Sequence, residues 1–157
     1  MITVDERTVA APVGRCFAHA ADVERWPEWL PHYRWVRFLE RRDGGGVVEM
    51  AAWRPFGALR WPTWWVSEMR VDAAAPAVRY RHIRGITRGM DVEWAFARSG
   101  SDVAVTITHR WPGPGWPVVG RLAAAAVIGP VFIHGIAQRT LAGIARAAEE
   151  GRGRMTR

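Results

Sequence analysis

The chain contains no lysine: all 22 of its basic residues are arginine, against 15 acidic residues, giving a net charge of +7. A phosphate-binding surface has no reason to exclude lysine, whose ammonium is itself a good phosphate ligand. The arginines are also spread along the sequence, with no block of five or more. The charge therefore reads as a compositional bias rather than the clustered basic footprint of a nucleic-acid binder, and no nucleic-acid partner is expected. There is a single cysteine, Cys16, which excludes an intrachain disulfide and a cysteine-based zinc site. The five histidines show no H-x₃-H-type spacing, so no metal and no cofactor is expected.

Long apolar runs free of charge are missing too. The opening "MITVDERTV" carries Asp5, Glu6 and Arg7, which does not fit a signal peptide, and a cytoplasmic location is expected. The most apolar segment, Val118 to Ala137, has the length of a membrane span. It is interrupted by Gly120, Arg121, Gly129, Pro130, His134 and Gly135 and is rich in alanine, so it reads as part of a buried core helix. Membrane contact is not expected.

Against these absences stand ten tryptophans. Three of them, Trp26, Trp29 and Trp35, fall with Tyr33 in "ERWPEWLPHYRWV" (Glu24–Val36). With 157 residues, 49% hydrophobic and 24% charged, the chain is long enough for one domain with a real core. That domain is expected over residues 1–150, followed by a disordered tail, "GRGRMTR", at 151–157. A monomer or a homodimer both remain open.

Residues 2–10 read as a strand. "APVGRCFAHAAD" reads as a helix with Pro12 in its first turn and Val13 and Phe17 on one face. Asp22 is placed to cap a short second helix, "VERWPEWL", which Pro27 and Pro31 keep short. Trp29 is expected to pack that helix onto the sheet. The period then becomes two. "YRWVRFLERR" and "VVEMAAWR" form a hairpin around Asp43-Gly44-Gly45-Gly46, and Trp35, two residues from Tyr33, shares its face by simple alternation unless Pro31 leaves the strand start irregular. "ALRWPTWWVSEMRVD" is a long strand in which Pro62 requires an edge, a bulge or a strand start. "AVRYRHIRG", "MDVEWAFARSG" and "SDVAVTITHRW" follow, and residues 117–150 are predicted helical. An antiparallel sheet must cover one face, and only the last helix is large enough; Ile133, Ile136, Ala137, Thr140, Leu141, Ile144 and Ala148 recur at helical spacing for that purpose. A gap between curved sheet and helix is a natural site for a small hydrophobic ligand.

Alternation assigns the inward side chains. Met90, Val92, Trp94 and Phe96 oppose Asp91 and Glu93, and Val78, Tyr80 and His82 oppose Arg79 and Arg81. Val105, Ile107, His109 and Trp111 align on one face, as do Thr63, Trp65, Ser67 and Met69, with Trp64 and Val66 directed outward. The predicted interior thus contains Trp65, Ser67, Met69, Tyr80, His82, Met90, Trp94, His109 and Trp111. Ser67, His82 and His109 are placed to satisfy one another or a ligand. His19, His32 and His134 lie on or near helices, His134 either at one end of the cavity or in solvent. Phe132 and Ile136, on the last helix, join the ligand-binding candidates. Arg54 and Arg60 flank a "PFG" loop at the cavity mouth, where they either meet an acidic group on the ligand or, as the favoured reading, are solvated.

Three motifs carry a resemblance: "APVGRCF…AADVERWPEWLPHY", "WVS" at 65–67 and "MDVEWAF" at 90–96. Together they resemble the START/Bet v 1-like superfamily, and within it the polyketide cyclase/dehydrase group with its aromatase/cyclases. The resemblance covers about residues 2–150. It implies an α+β helix-grip fold, a curved antiparallel sheet of about seven strands around a long C-terminal helix, with two short helices after the first strand. It implies a cavity for a polyketide-like or other hydrophobic molecule, with Trp26 and Tyr33 at pocket positions, Trp65 and Ser67 as the pair whose serine orients substrate, and Met90 and Trp94 lining. The resemblance also implies an inward arginine two residues after that serine, where this chain has Met69, and a second arginine where it has His82. Arginine cannot become methionine without losing a cation and its donors. Two readings follow. In one, the chain promotes cyclisation or dehydration, with Tyr33, Ser67 and His82 donating to substrate oxygens and His109 accepting a proton. In the other, it is a non-catalytic carrier of a lipid, quinone or other hydrophobic molecule.

Overall fold

The structure, a computed structural model, describes residues 1–56, 59–113 and 133–150. Strand β1 (Ile2–Val9) leads to helix α1 (Val13–Ala21), a 3-10 turn (Val23–Arg25) and the short helix α2 (Trp26–Trp29). Six strands follow: β2 (Tyr33–Arg42), β3 (Gly45–Phe56), β4 (Leu59–Asp72), β5 (Ala77–Gly85), β6 (Asp91–Ser99) and β7 (Asp102–Arg110). Helix α3 (His134–Glu150) closes the described chain. The predicted helix over 117–150 is therefore described only from His134, and Phe132 and the 151–157 tail lie outside the described residues.

All seven strands form one antiparallel sheet in the order β1-β7-β6-β5-β4-β3-β2. Every pairing except β1 with β7 joins neighbours in sequence, so tight hairpins build most of it. The β2–β3 turn needs its glycines: at Gly45, φ is +151°, and an added Cβ would lie 2.0 Å from the Met69 carbonyl oxygen. Pro62 opposes Trp53 on β3, and Trp53 sends its own N–H to the His32 carbonyl on the far side. The ring nitrogen of Pro62 thus faces the other edge of β4, where β5 has already ended, since Gly85 at its end pairs with Trp65. This is the edge environment that proline requires.

Helix α3 packs against β1 and α1, burying Ala137, Thr140, Leu141, Ile144 and Ala148 along one stripe. Gly143 lets the α2–β2 connection approach it, because an added Cβ would meet Leu30 Cδ2 at 2.1 Å. At the start of α3, Gln138 Nε2 donates to buried Asp5 Oδ1 at 2.9 Å, and His134 Nδ1 pairs with the same oxygen while its side chain stays 58% exposed. His134 therefore faces solvent and anchors the helix to β1; it does not line a cavity.

Two local expectations are corrected, and a third gains detail. Asp22 makes no side-chain cap bond to the turn that follows; its carboxylate lies 3.9 Å from Arg25 instead. Trp29 packs edge-on against His19 of α1 and beside Gly143 of α3, so its neighbours include both long helices. Trp35 does not share a face with Tyr33. The register slips between them, Tyr33 opposing Ala52 and Trp35 opposing Ala51, so a bulge turns Trp35 to the outer face. There its Nε1 donates to Glu49 Oε2 at 3.3 Å, Trp64 Nε1 donates to Glu49 Oε1 at 2.8 Å, and Arg37 pairs with the same carboxylate. This cluster, with β5 alongside, also buries outward-facing Val66.

Candidate ligand-binding cavity

A cavity lies between the inner face of the sheet and α3. Its volume is about 60 Å³, and it opens to solvent. The wall is mostly apolar: Met50, Trp65, Met90, Val92, Trp94 and Ile107 from the strands, Trp26 from α2, and Ile133, Ile136 and Ala137 from the α3 side. Five polar residues project from the strands, Tyr33, Arg54, Tyr80, His82 and His109, and Thr140 faces them from α3. No Asp or Glu lines it among the described residues.

The aromatic rings hold one another in place. Trp26 meets Tyr33 edge-on at 5.0 Å and Trp94 at 5.7 Å, and its Nε1 donates to the His19 carbonyl at 3.0 Å. Tyr33 in turn meets Trp65 at 6.2 Å, and Trp65 stacks on His82 at 5.9 Å with 21° between the planes. A pocket tryptophan whose N–H is already satisfied offers a ligand its apolar face.

Arg54 departs most from expectation. It is 5% exposed, not solvated. Along β3 it follows Val48, Met50 and Ala52 on the inward face; its Nε donates to Thr63 Oγ1 at 3.2 Å and its guanidinium lies 5.8 Å from the Trp65 ring. Burial pulls its pKa down to about 10, partly offset by Tyr33, so it remains a cation at neutral pH. The cavity thus has an arginine, contributed by β3 and not by the position of Met69.

The other titratable groups are neutral. Burial first, and then the nearby His109 and Arg54, pull His82 down to about 3; burial and Arg54 pull His109 down to about 4. Burial pushes Tyr33 up to about 12 and Tyr80 well above the usual phenol value. His82 Nδ1 is 2.6 Å from Thr87 Oγ1, so His82, Ser67 and His109 do not satisfy one another. Tyr80 Oη, His109 Nδ1 and Ser67 Oγ are shielded from solvent and have no hydrogen-bond partner among the described residues.

Of the predicted site residues, Tyr33, His82, His109, Trp26, Trp65, Tyr80, Met90, Trp94 and Ile136 come together on the cavity wall. Ser67, Met69 and Trp111 do not. Ser67 is fully buried within β4, between Val48 and His82 on the flanking strands. Met69 sits nearer the far end of the same strand, beside a separate groove with Phe38 and Val71. Trp111 is packed below the β5–β6 turn, where its Nε1 donates to the Arg88 carbonyl at 3.1 Å. Alternation assigns a face, but position along the strand decides which inward residues reach the cavity. Sequence reasoning weighs Arg54 as a ligand contact but favours solvation, and it misses Thr140 on the wall and Thr87 behind His82. Arg54 is legible in the inward alternation of "VVEMAAWR", and Thr140 falls on the predicted helix stripe without a polar role.

Residues 9–129 match the family described as polyketide cyclase/dehydrase and lipid transport. A Streptomyces halstedii protein named as a polyketide cyclase is 31% identical over 111 residues, 69% of this chain and 95% of that protein. Among solved structures, a protein of Thermus thermophilus superposes with a TM-score of 0.80 at 18% identity, covering 96% of this chain and 99% of its own. The Zhui aromatase/cyclase from a Streptomyces species gives 0.67 at 20% identity, with 100% and 96% covered. Ginseng major latex-like protein 151 gives 0.73 at 11% identity, covering 94% and 97%, and shares the helix-grip fold. With a seven-stranded sheet gripping its C-terminal helix and a family match across most of its length, this chain belongs to the polyketide cyclase/dehydrase and lipid transport family.

Proposed function

We propose that residues 1–150 act as one unit that holds a flat, hydrophobic, oxygen-bearing molecule of polyketide-like type and promotes its cyclisation or dehydration. The observation that carries this is the pair of polar groups on the cavity wall that have no partner among the described residues, Tyr80 Oη and His109 Nδ1. A buried polar group without a partner costs about 1–3 kcal/mol, and a ligand oxygen or hydroxyl recovers it. Tyr80 and His109 lie in register across β5, β6 and β7 with Val92 between them. Two strand spacings separate them, roughly 10 Å, a span suited to fused rings or a folded chain with oxygens at both ends. Arg54 supplies the cation for an oxygen that gains negative charge, as the carbonyl of a forming enolate does. Holding the chain folded would bring its reacting carbons together.

The carrier reading is favoured by one feature. None of the cavity histidines or tyrosines titrates near neutral pH, where a general acid or base works best. The two readings share the ligand and part on turnover. Native mass spectrometry of the purified protein, followed by release of bound material, tests the shared part: an aromatic or polyketide-like molecule in the cavity is expected. An empty protein that also fails to bind 1-naphthol would overturn it. Incubation with a linear poly-β-keto thioester then separates the readings, since a cyclase changes the product distribution and a carrier leaves it as in buffer.

A further inference from the structure

The β5–β6 turn buries a hydroxyl that touches a histidine of the cavity wall. Thr87 is 1% exposed, and its Oγ1 lies 2.6 Å from His82 Nδ1. The backbone fixes both residues. The His82 N–H donates to the Met90 carbonyl at 2.9 Å, the Gly89 N–H donates to the His82 carbonyl at 2.8 Å, and the Met90 N–H donates to the Thr87 carbonyl at 3.0 Å. Trp65, stacked on the imidazole, fixes the ring plane.

This short contact has one proton in it, and the proton has two possible owners. If Nδ1 carried it, Thr87 Oγ1 would accept, and the hydroxyl's own proton would be buried with no acceptor among its described contacts. If the hydroxyl donates to Nδ1, both atoms of the contact are satisfied and the ring N–H moves to Nε2, which is not among the sealed, unpartnered atoms as the hydroxyl proton would be; an orphaned buried donor costs about 1–3 kcal/mol, enough to decide between tautomers. We propose that Thr87 donates to His82 Nδ1 and so holds His82 as the Nε2–H tautomer, with that N–H presented to the cavity as a neutral hydrogen-bond donor.

Thr87 is then a positioning residue, and the two cavity histidines are not interchangeable. His82 gives a hydrogen bond to a ligand oxygen and cannot take a proton at Nε2. His109, whose Nδ1 is unpartnered, is the histidine with an open nitrogen. Burial, which holds His82 down to about 3, keeps it in the neutral form that this role needs. The role toward a ligand rests on the function proposed above; the tautomer does not.

Long-range ¹H–¹⁵N correlation on ¹⁵N-histidine-labelled protein at neutral pH reads the tautomer directly, without ligand. The expected result for His82 is a pyrrole-type shift at Nε2 and a pyridine-type shift at Nδ1. The reverse assignment in the wild type overturns the proposal. Thr87→Val is expected to move both shifts toward a mixture of tautomers, and Thr87→Ser to restore them; a Thr87→Val protein with unchanged His82 shifts overturns Thr87 as the cause. With 1,4-naphthoquinone as a carbonyl probe and naphthalene as its acceptor-free control, Thr87→Val should weaken the quinone roughly threefold to tenfold, the size of one hydrogen bond, and leave naphthalene unchanged. If neither probe binds the wild type, the ligand reading falls, and the tautomer assignment is still decided by the spectra.

Discussion

Arg54 Nε donates to Thr63 Oγ1 at 3.2 Å, and Thr63 Oγ1 passes its own proton to the Ala52 carbonyl at 3.0 Å. The threonine is thus an acceptor held in one orientation, and it aims a buried cation. Thr63→Val removes that acceptor while keeping the charge, and should destabilise the protein by about 1–3 kcal/mol. Arg54→Met removes the charge with its desolvation cost and should be nearly neutral for stability. Urea denaturation of both variants checks the order; an Arg54→Met protein less stable than Thr63→Val would contradict it. The same Arg54→Met protein should bind 1-naphthoate at least about tenfold more weakly, from loss of a charge-assisted bond of about 1.5–3 kcal/mol.

Trp26 and Trp35 come from one short stretch but face different environments. Trp26→Ala should cost about 3–5 kcal/mol, as expected for a buried aromatic truncated in a core. Trp26→Phe should cost less, since it keeps a ring against Tyr33 and Trp94 and loses only the bond to the His19 carbonyl. Trp35→Ala should leave 1-naphthol binding unchanged, because the ring is on the outer face with Glu49. Loss of naphthol binding in Trp35→Ala would place that ring wrongly.

Two glycines in the same helix make a matched pair. At Gly135 an added Cβ meets nothing within 4 Å among the described residues, so Gly135→Ala should stabilise by about 0.5–1 kcal/mol through helix propensity. At Gly143 it meets Leu30 Cδ2 at 2.1 Å inside the core, so Gly143→Ala should destabilise by about 1–3 kcal/mol. Thermal unfolding of the two variants should shift in opposite directions.

Stability should also fall in mild acid. His32, His82 and His109 are pulled down to about 4, 3 and 4, in each case chiefly by burial, from an ordinary value of 6.5. Between those values the unfolded chain binds protons that the folded chain refuses, so acid favours unfolding. Their contribution is complete above pH 6.5 and is lost as the pH falls from there toward 4 and then 3. Urea midpoints measured across that window should decline, and His82→Asn should flatten the decline. A midpoint that rises on acidification would refute the assignment of neutral buried histidines.

The sheet is legible in the sequence because its inner and outer residues differ in kind. Arg79 and Arg81 against Val78, Tyr80 and His82 leave one solution, and the predicted bounds of β2 and β5 match the observed strands. The cavity is less legible, for three physical reasons. Alternation gives a face but no depth, so it groups Ser67 and Met69 with residues nearer the open end of the sheet. A bulge is invisible to a period of two, so the pattern puts Trp35 inside. A charged residue beside Pro55 looks like a loop, so Arg54 reads as solvated although its strand phase points inward. Thr87 gives no sequence signal, since its importance comes from a turn that folds it back onto His82.

The bulge between Tyr33 and Trp35 works like a change of reading frame within a strand. Upstream of it, an inward position is written by the Tyr33 phase; downstream, the other phase takes over, and Val36 becomes the buried residue. Keeping all the residues but flattening the bulge would put Trp35 in frame with Tyr33. The ring would then be driven toward a cavity already lined by Trp26, Trp65 and Trp94, and Glu49 would lose a donor on the opposite face. Deleting Arg34 would instead leave Tyr33 and Val36 inward and Trp35 outward by plain alternation. One residue of slack in the backbone therefore decides whether this tryptophan-rich stretch walls the cavity or blocks it.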